Sequence, residues 1–214
     1  MYFAQCTRPD IAFAVHRLCT GLSRPNKSCF KALNRLNRYL AGTHNLGIQY
    51  TFTDSDTFRL EAYADSSFGS EAVLKERSQT GYVVYLGGGP IDWSSTLQTV
   101  TALSSAEAEF IAAFSVSRNI AYFRELLTEL TIVSDNATIV WEDNMACIAM
   151  SKNPINHKHN KHILRKYHYL RDLVESGIVH LEYLATADQI ADLLTKPVTA
   201  KIFHNLVHFL VRPI

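Results

Sequence analysis

Residues 81–95 read Gly81-Tyr82-Val83-Val84-Tyr85-Leu86-Gly87-Gly88-Gly89-Pro90-Ile91-Asp92-Trp93-Ser94-Ser95. Two short runs of β-branched and aromatic residues flank a glycine-rich turn, the pattern of an antiparallel hairpin. The glycines lead into a strand rather than a helix, so they make a poor phosphate-binding loop. Upstream, residues 60–66 form a further strand, which extends the hairpin to a meander. Downstream, Ser104 and Glu107 form a capping box. It opens a long helix carrying Phe110, Ile111, Phe114, Phe123, Leu126, Leu127 and Leu130 at helical spacing. A strand over 138–141, helices around 145–151 and 163–176, a strand over 178–184, and helices over 187–195 and 199–210 complete the pattern. The crossover helices require the fourth strand to run parallel to its neighbour. The expectation is an α/β fold, a mixed sheet under helical cover.

The 214 residues are 47% hydrophobic and 19% charged, a globular balance rather than a disordered one. Their number allows one large domain or a domain with an appendage. No apolar run approaches the ~18–20 residues that span a bilayer, and the start lacks the build of a signal peptide. Cys6, Cys19, Cys29 and Cys147 form no C-x-x-C pair and are expected as reduced, mostly buried thiols of an intracellular protein. The net charge of +1 argues against a nucleic-acid binder only as an average. Residues 1–58 hold seven basic and three acidic residues, a net +4, which leaves −3 for the remainder. Two modules are therefore expected to meet near residues 51–57.

In the first module Arg8-Pro9-Asp10 opens a helix, with the acid favoured by the helix dipole. Ile11, Ala14, Val15, Leu18 and Leu22 follow at helical spacing. A second helix sets Phe30, Leu33, Leu36 and Leu40 on one stripe and Lys27, Lys31, Arg35 and Arg38 on another. That basic face is either a solvated surface or a contact with phosphates.

Asp65 ends the first strand of the meander and Asp143 follows the fourth strand, so parallel pairing would bring both to one sheet edge, where ligands bind in α/β folds. Glu109 lies one turn into the long helix, and Asp192 in the last strand–helix unit. Each acid alone is equally an ordinary strand-end or cap residue. Four that converge would repel one another and raise their own pKa values, a cost that bound cations offset. Two Mg²⁺ ions about 3.5–4 Å apart can activate a water and stabilise the leaving oxygen in phosphodiester cleavage.

At these residues the chain resembles the ribonuclease H domain of copia-type long-terminal-repeat retrotransposons. The stretches are Y-A-D-S-S, S-Q-T-G-Y-V-V-Y-L-G-G-G-P-I-D-W-S-S, A-L-S-S-A-E-A-E-F, W-E-D-N, H-N-K-H-I-L-R-K-Y-H-Y-L-R and L-E-Y-L-A-T-A-D-Q-I-A-D-L-L-T-K-P, in family order over roughly residues 60–197. C-T-R-P-D-I-A-F-A-V and R-Y-L-A-G-T look like the end of the reverse transcriptase that precedes it in such polyproteins. The resemblance implies a ribonuclease H-like five-stranded mixed sheet, an antiparallel three-strand meander plus two parallel strands, flanked by helices. It divides the chain into a basic helical remnant (1–58), the ribonuclease H-like domain (59–197) and a C-terminal helix (198–214). It also implies hydrolysis of the RNA strand of RNA–DNA hybrids with two Mg²⁺ or Mn²⁺ ions. Asp65 would bridge both ions, Glu109 and Asp143 would each support one, and Asp192 would hold the site nearer product release. Glu107 competes for the helix position, but A-E-F-I-A fits the family's small–Glu–apolar pattern and leaves Glu107 to the cap. Ser67 stands where the family often has a second aspartate, and Ala185-Thr186-Ala187 fills a loop that often holds a histidine.

His157, His159 and His162 lack a partner at zinc-finger spacing. Together with Lys152, Lys158, Lys161, Arg165, Lys166 and Arg171 they read instead as a basic patch, and the resemblance points to Lys161 and His162 as substrate contacts. Trp93 and Trp141 are expected in the core. No G-x-S-x-G elbow appears, and no Y-x-D-D polymerase signature, so the upstream piece is not expected to polymerise. The expected partners are an RNA–DNA hybrid and a reverse transcriptase or other Pol parts, with no membrane and no small-molecule cofactor, in a cytoplasmic particle or the nucleus. A degenerate copy that binds nucleic acid without cleaving it, and a purely structural domain, remain the alternatives.

Overall fold

Gly87 and Gly88 turn the chain with φ of 61° and 72°, a left-handed backbone that glycine adopts without steric cost. The turn joins β3 (Gln79–Leu86) to β4 (Gly89–Leu97), and β2 (Glu61–Ser67) pairs antiparallel with β3 to complete the meander. The computed structural model describes residues 1–51, 59–68, 77–132, 136–152 and 161–214, and of residues 161–164 the backbone alone. The expected module junction near 51–58, Lys158, and the His157 and His159 imidazoles lie outside the described residues, as do the side chains of Lys161 and His162.

Before the sheet come α1 (Tyr2–Cys6), α2 (Ala12–Thr20), α3 (Lys27–Gly42) and β1 (Leu46–Gly47). After the meander come α4 (Ser105–Glu129), β5 (Thr138–Glu142), α5 (Met145–Lys152), α6 (Lys161–Glu175), β6 (Val179–Tyr183), α7 (Ala200–Leu210) and β7 (Arg212–Pro213). The sheet order is β4-β3-β2-β5-β6, with β2, β5 and β6 parallel. This is the five-stranded ribonuclease H-like mixed sheet that the sequence led us to expect. Alternation along the strands sends Ala62, Ala64, Val84 and Val140 to one face, against Phe110 and Val116 of α4, Ile148 of α5 and Leu170 of α6. Val83 and Tyr85 face the other way, onto Leu206 and Leu210 of α7 and Ala12 of α2.

Several expectations change. The helix foreseen over 187–195 is two 3₁₀ turns, Thr186–Asp188 and Ile190–Leu194, separated by Gln189 in extended backbone. The Gln189 side chain donates to the carbonyls of Ala64 (3.0 Å) and Trp141 (3.3 Å), and these tertiary bonds break what local propensity would continue. Of the four thiols only Cys147 is buried; Cys6 is exposed and Cys19 and Cys29 are intermediate. Trp93 and Trp141 are half-buried rather than core, and Trp93 Nε1 donates to the Ala4 carbonyl at 2.7 Å. The apolar stripe of α3 is not a core face: Phe30 is 67% exposed and no residue of that helix is buried.

The first 50 residues do not hang apart from the sheet. Trp93 holds α1, β1 pairs antiparallel with β7, and Tyr39 of α3 packs edge-on against Phe203 of α7. Asp10, expected as a dipole acid, is instead the buried centre of a network. Arg8 grips both its oxygens at 2.9 and 2.8 Å, and the Tyr39 hydroxyl donates to Oδ2 at 2.7 Å. Arg8 reaches on to the Thr43 carbonyl and hydroxyl. The Asp10 side chain is 0% and that of Arg8 7% exposed, so loss of one partner strands a buried charge. Asp10→Ala should lower the unfolding free energy by about 3–5 kcal/mol, read as a lower urea midpoint at unchanged slope.

Candidate active site

The parallel register pairs Glu61 with Ile139, Ala62 with Val140 and Tyr63 with Trp141. Continued by two residues, it sets Asp65 level with Asp143, so both carboxylates leave the sheet at the same end. Glu109 approaches from α4, whose start is fixed by Ser104: its hydroxyl accepts from the Glu107 N–H, while Glu107 accepts from the Leu103 N–H. Glu107 is thereby committed to the cap, and the next turn carries Glu109 to the strand ends. One oxygen each of Asp65, Glu109 and Asp143 lies within 4.8 Å of the others.

Asp65 is 1% and Glu109 6% exposed. Glu109 accepts from the Ser66 backbone, but its Oε2 is buried without a hydrogen-bond partner. Burial and then the neighbouring Asp65, Glu142 and Asp143 push the Glu109 carboxyl up to about 11. Burial also raises Asp65, against the opposing pull of Lys196 and Thr195. Such carboxyls either hold protons or meet a cation. Three carboxylate oxygens within 4.8 Å of one another form a hard-oxygen donor set that suits Mg²⁺ or Mn²⁺.

Asp192 is not part of this trio of oxygens. It sits in the second 3₁₀ turn, where Lys196 Nζ lies 2.7 Å from its Oδ1 and 3.7 Å from Asp65 Oδ2. Burial and Asp65 raise its carboxyl to about 7, with Lys196 opposing. The Thr195 hydroxyl also donates to Asp65 Oδ2. Gln189 and Ser95 hold this segment, the latter by donating to the Leu194 carbonyl at 2.6 Å. Opposite Asp65 on β3 stands Gly81. A Cβ there would meet Thr195 Cγ2 at 2.5 Å and Leu194 Cβ at 2.8 Å, so glycine is what admits Leu194 and the Thr195 side chain to the strand. On the far side the Thr186 hydroxyl donates to Asp143 Oδ2 at 2.8 Å.

Sequence reasoning missed Gly81, Gln189, Thr195 and Lys196, although S-Q-T-G-Y and A-D-L-L-T-K-P contain three of them. It also missed Glu142, which is fully buried, bonded to the Asn144 N–H and raised well above its ordinary range by burial. The basic residues Lys27, Lys31, Arg35 and Arg38 stand exposed along α3, and Arg165 is exposed on α6. Among the described residues no helix is long and apolar enough to cross a membrane.

No family model matches the chain. It is 39% identical over 201 residues to the retrovirus-related Pol polyprotein from transposon RE1 of Arabidopsis thaliana, covering 93% of this chain. It is 36% identical over 203 residues to that from transposon TNT 1-94 of Nicotiana tabacum, covering 95%. The chain spans 13% and 15% of those two relatives' lengths. The N-terminal ribonuclease H domain of a Mycobacterium tuberculosis protein aligns at a TM-score of 0.46 and 14% identity, over 71% of this chain and 97% of that one. With 36–39% identity to these Pol polyproteins along nearly its whole length, the chain belongs with the retrovirus-related Pol polyproteins of transposons, of which it matches one segment.

Proposed function

We propose that this chain is a divalent-cation-dependent nuclease that hydrolyses the RNA strand of RNA–DNA hybrids. The observation that carries the reading is that one oxygen each of Asp65, Glu109 and Asp143 lies within 4.8 Å of the others, with Glu109 Oε2 buried and without a hydrogen-bond partner. Asp65, Glu109 and Asp143 would hold one Mg²⁺ or Mn²⁺ ion, and Asp65 with Asp192 a second. Bound there, such ions supply a water activated for attack and a positive charge at the leaving oxygen.

The protein's own groups set the geometry. Thr195 and Lys196 fix Asp65 from one side, and Thr186 orients Asp143 from another. Gln189 ties the Asp192 segment to the ends of β2 and β5, so the fourth carboxylate moves with the strands that carry the first and third. The exposed bases of α3 and Arg165 of α6 would meet phosphates of the hybrid, and the family resemblance adds Lys161 and His162 as substrate contacts. The upstream segment is read as reverse-transcriptase sequence, and other parts of the Pol polyprotein as its partners.

A labelled RNA–DNA hybrid should be cut in Mg²⁺ by the wild type. Asp65→Asn and Glu109→Gln should each slow cutting by about 10³-fold or more, and equal rates in all three would defeat the assignment. Tight hybrid binding with no cleavage by the wild type would favour the degenerate-copy reading. Replacing Lys27, Lys31, Arg35 and Arg38 together by Gln should flatten the plot of log affinity against log salt by about 3; an unchanged slope would remove α3 from the interface.

The raised carboxyls also fix a pH dependence. In EDTA, folded Glu109 and Asp192 retain protons that the unfolded chain has lost, so stability falls as pH rises, for Asp192 up to about 7 and for Glu109 up to about 11. Thermal melts between pH 5 and 9 should show this decline, Glu109→Gln should make it shallower above pH 7 while the raised Glu142 carboxyl still contributes, and Mg²⁺ should release protons on binding.

A further inference from the structure

The four acids are not equivalent in their surroundings. One oxygen each of Asp65, Glu109 and Asp143 lies within 4.8 Å of the others, and Glu109 Oε2 is buried, whereas the space between Asp65 and Asp192 already has a positive charge beside it. Lys196 Nζ sits 2.7 Å from Asp192 and 3.7 Å from Asp65. We propose that Lys196 is the resident cation of the Asp65–Asp192 pair. The free chain then offers one tight divalent-cation site, at the trio, and keeps the second latent until the ammonium moves away.

The inference rests on the metal-dependent reading above and goes one step past it, to the order in which the ions enter. Three features support it. The 3₁₀ turn that carries Asp192 is anchored by Gln189 and Ser95, so Lys196 is directed at the pair by a held backbone rather than by chance. The absence of a side chain at Gly81 is what lets that backbone lie against β2 and β3 at this point. The ammonium is borne on a flexible four-carbon stem and the side chain is 34% exposed, which leaves it a route to solvent. A divalent ion between the two carboxylates would meet a like charge within a few ångström, and in a half-buried site that repulsion is only partly screened. A phosphate of bound substrate could draw the ammonium off, which would make occupancy of the second site depend on the hybrid. Lys196 is in this sense a positioning residue, acting on the site through Asp65 and Asp192.

The test counts Mn²⁺ on the full-length chain by calorimetry and by electron paramagnetic resonance, with no substrate present. The wild type should bind one ion tightly and a second at least about tenfold more weakly. Lys196→Met should tighten the second class by at least about tenfold, Lys196→Arg should behave like the wild type, and Asp192→Asn in the Lys196→Met background should abolish the second class while sparing the first. Lys196→Gln, checked like the others by circular dichroism, serves where the methionine variant fails to fold. Two equal classes in the wild type, or a second class that neither Lys196→Met nor Lys196→Gln alters, would overturn the proposal while leaving the metal site standing. Mn²⁺ binding that Asp65→Asn does not weaken would overturn the metal-dependent reading, and this inference with it.

Discussion

Like charges repel, and a fold that brings carboxylates from three separate segments within 4.8 Å of one another must offset that repulsion or change the protonation of the groups. Much of this molecule follows from that constraint. The parallel pairing of β2 with β5 sets Asp65 level with Asp143, and α4 crosses the same sheet end with Glu109. Burial then makes the cost of charge high: Glu109 rises to about 11. Under the proposed function, a small hard cation bound there would relieve the repulsion that destabilises the cation-free form.

The chain spreads the support of this site over elements distant in sequence. Gln189 bonds to two strand carbonyls, Ser95 of β4 bonds to Leu194, and Gly81 of β3 leaves room for Thr195. The Gln189 and Ser95 bonds are to backbone carbonyls, which change little with the fluctuation of exposed side chains. The N-terminal segment is joined to the same framework from the opposite face of the sheet from α4, through Trp93, the β1–β7 pair and the Arg8–Asp10–Tyr39 network. Its basic helix thus has a defined place relative to the sheet, while the apolar stripe of α3 stays open to solvent.

Where the sequence was read correctly, the signal was local. Strand alternation in residues 60–66 and 81–86, the glycine turn and the Ser104–Glu107 cap each specify their own element, and the order of those elements led to the sheet topology. Of the four acids singled out, Asp65, Glu109 and Asp143 have oxygens that the fold brings within 4.8 Å of one another. Where the reading failed, the deciding contact was remote. Residues 187–195 have the composition of a helix, but Gln189 satisfies carbonyls of Ala64 and Trp141 and splits the segment into 3₁₀ turns. Asp10 looked like a first-turn acid and is instead buried against Arg8 and Tyr39.

By itself the sequence determined the mixed sheet and the division of charge between a basic N-terminal stretch and an acidic remainder, and it singled out four acids as candidates, because periodicity, caps and short motifs are properties of neighbours along the chain. Only the tertiary structure decided that three of those acids form one group while Asp192 is engaged by Lys196. Charge compensation depends on distances such as the 3.7 Å between Lys196 Nζ and Asp65 Oδ2, residues 131 positions apart in the sequence, and such distances exist only once the backbone has folded.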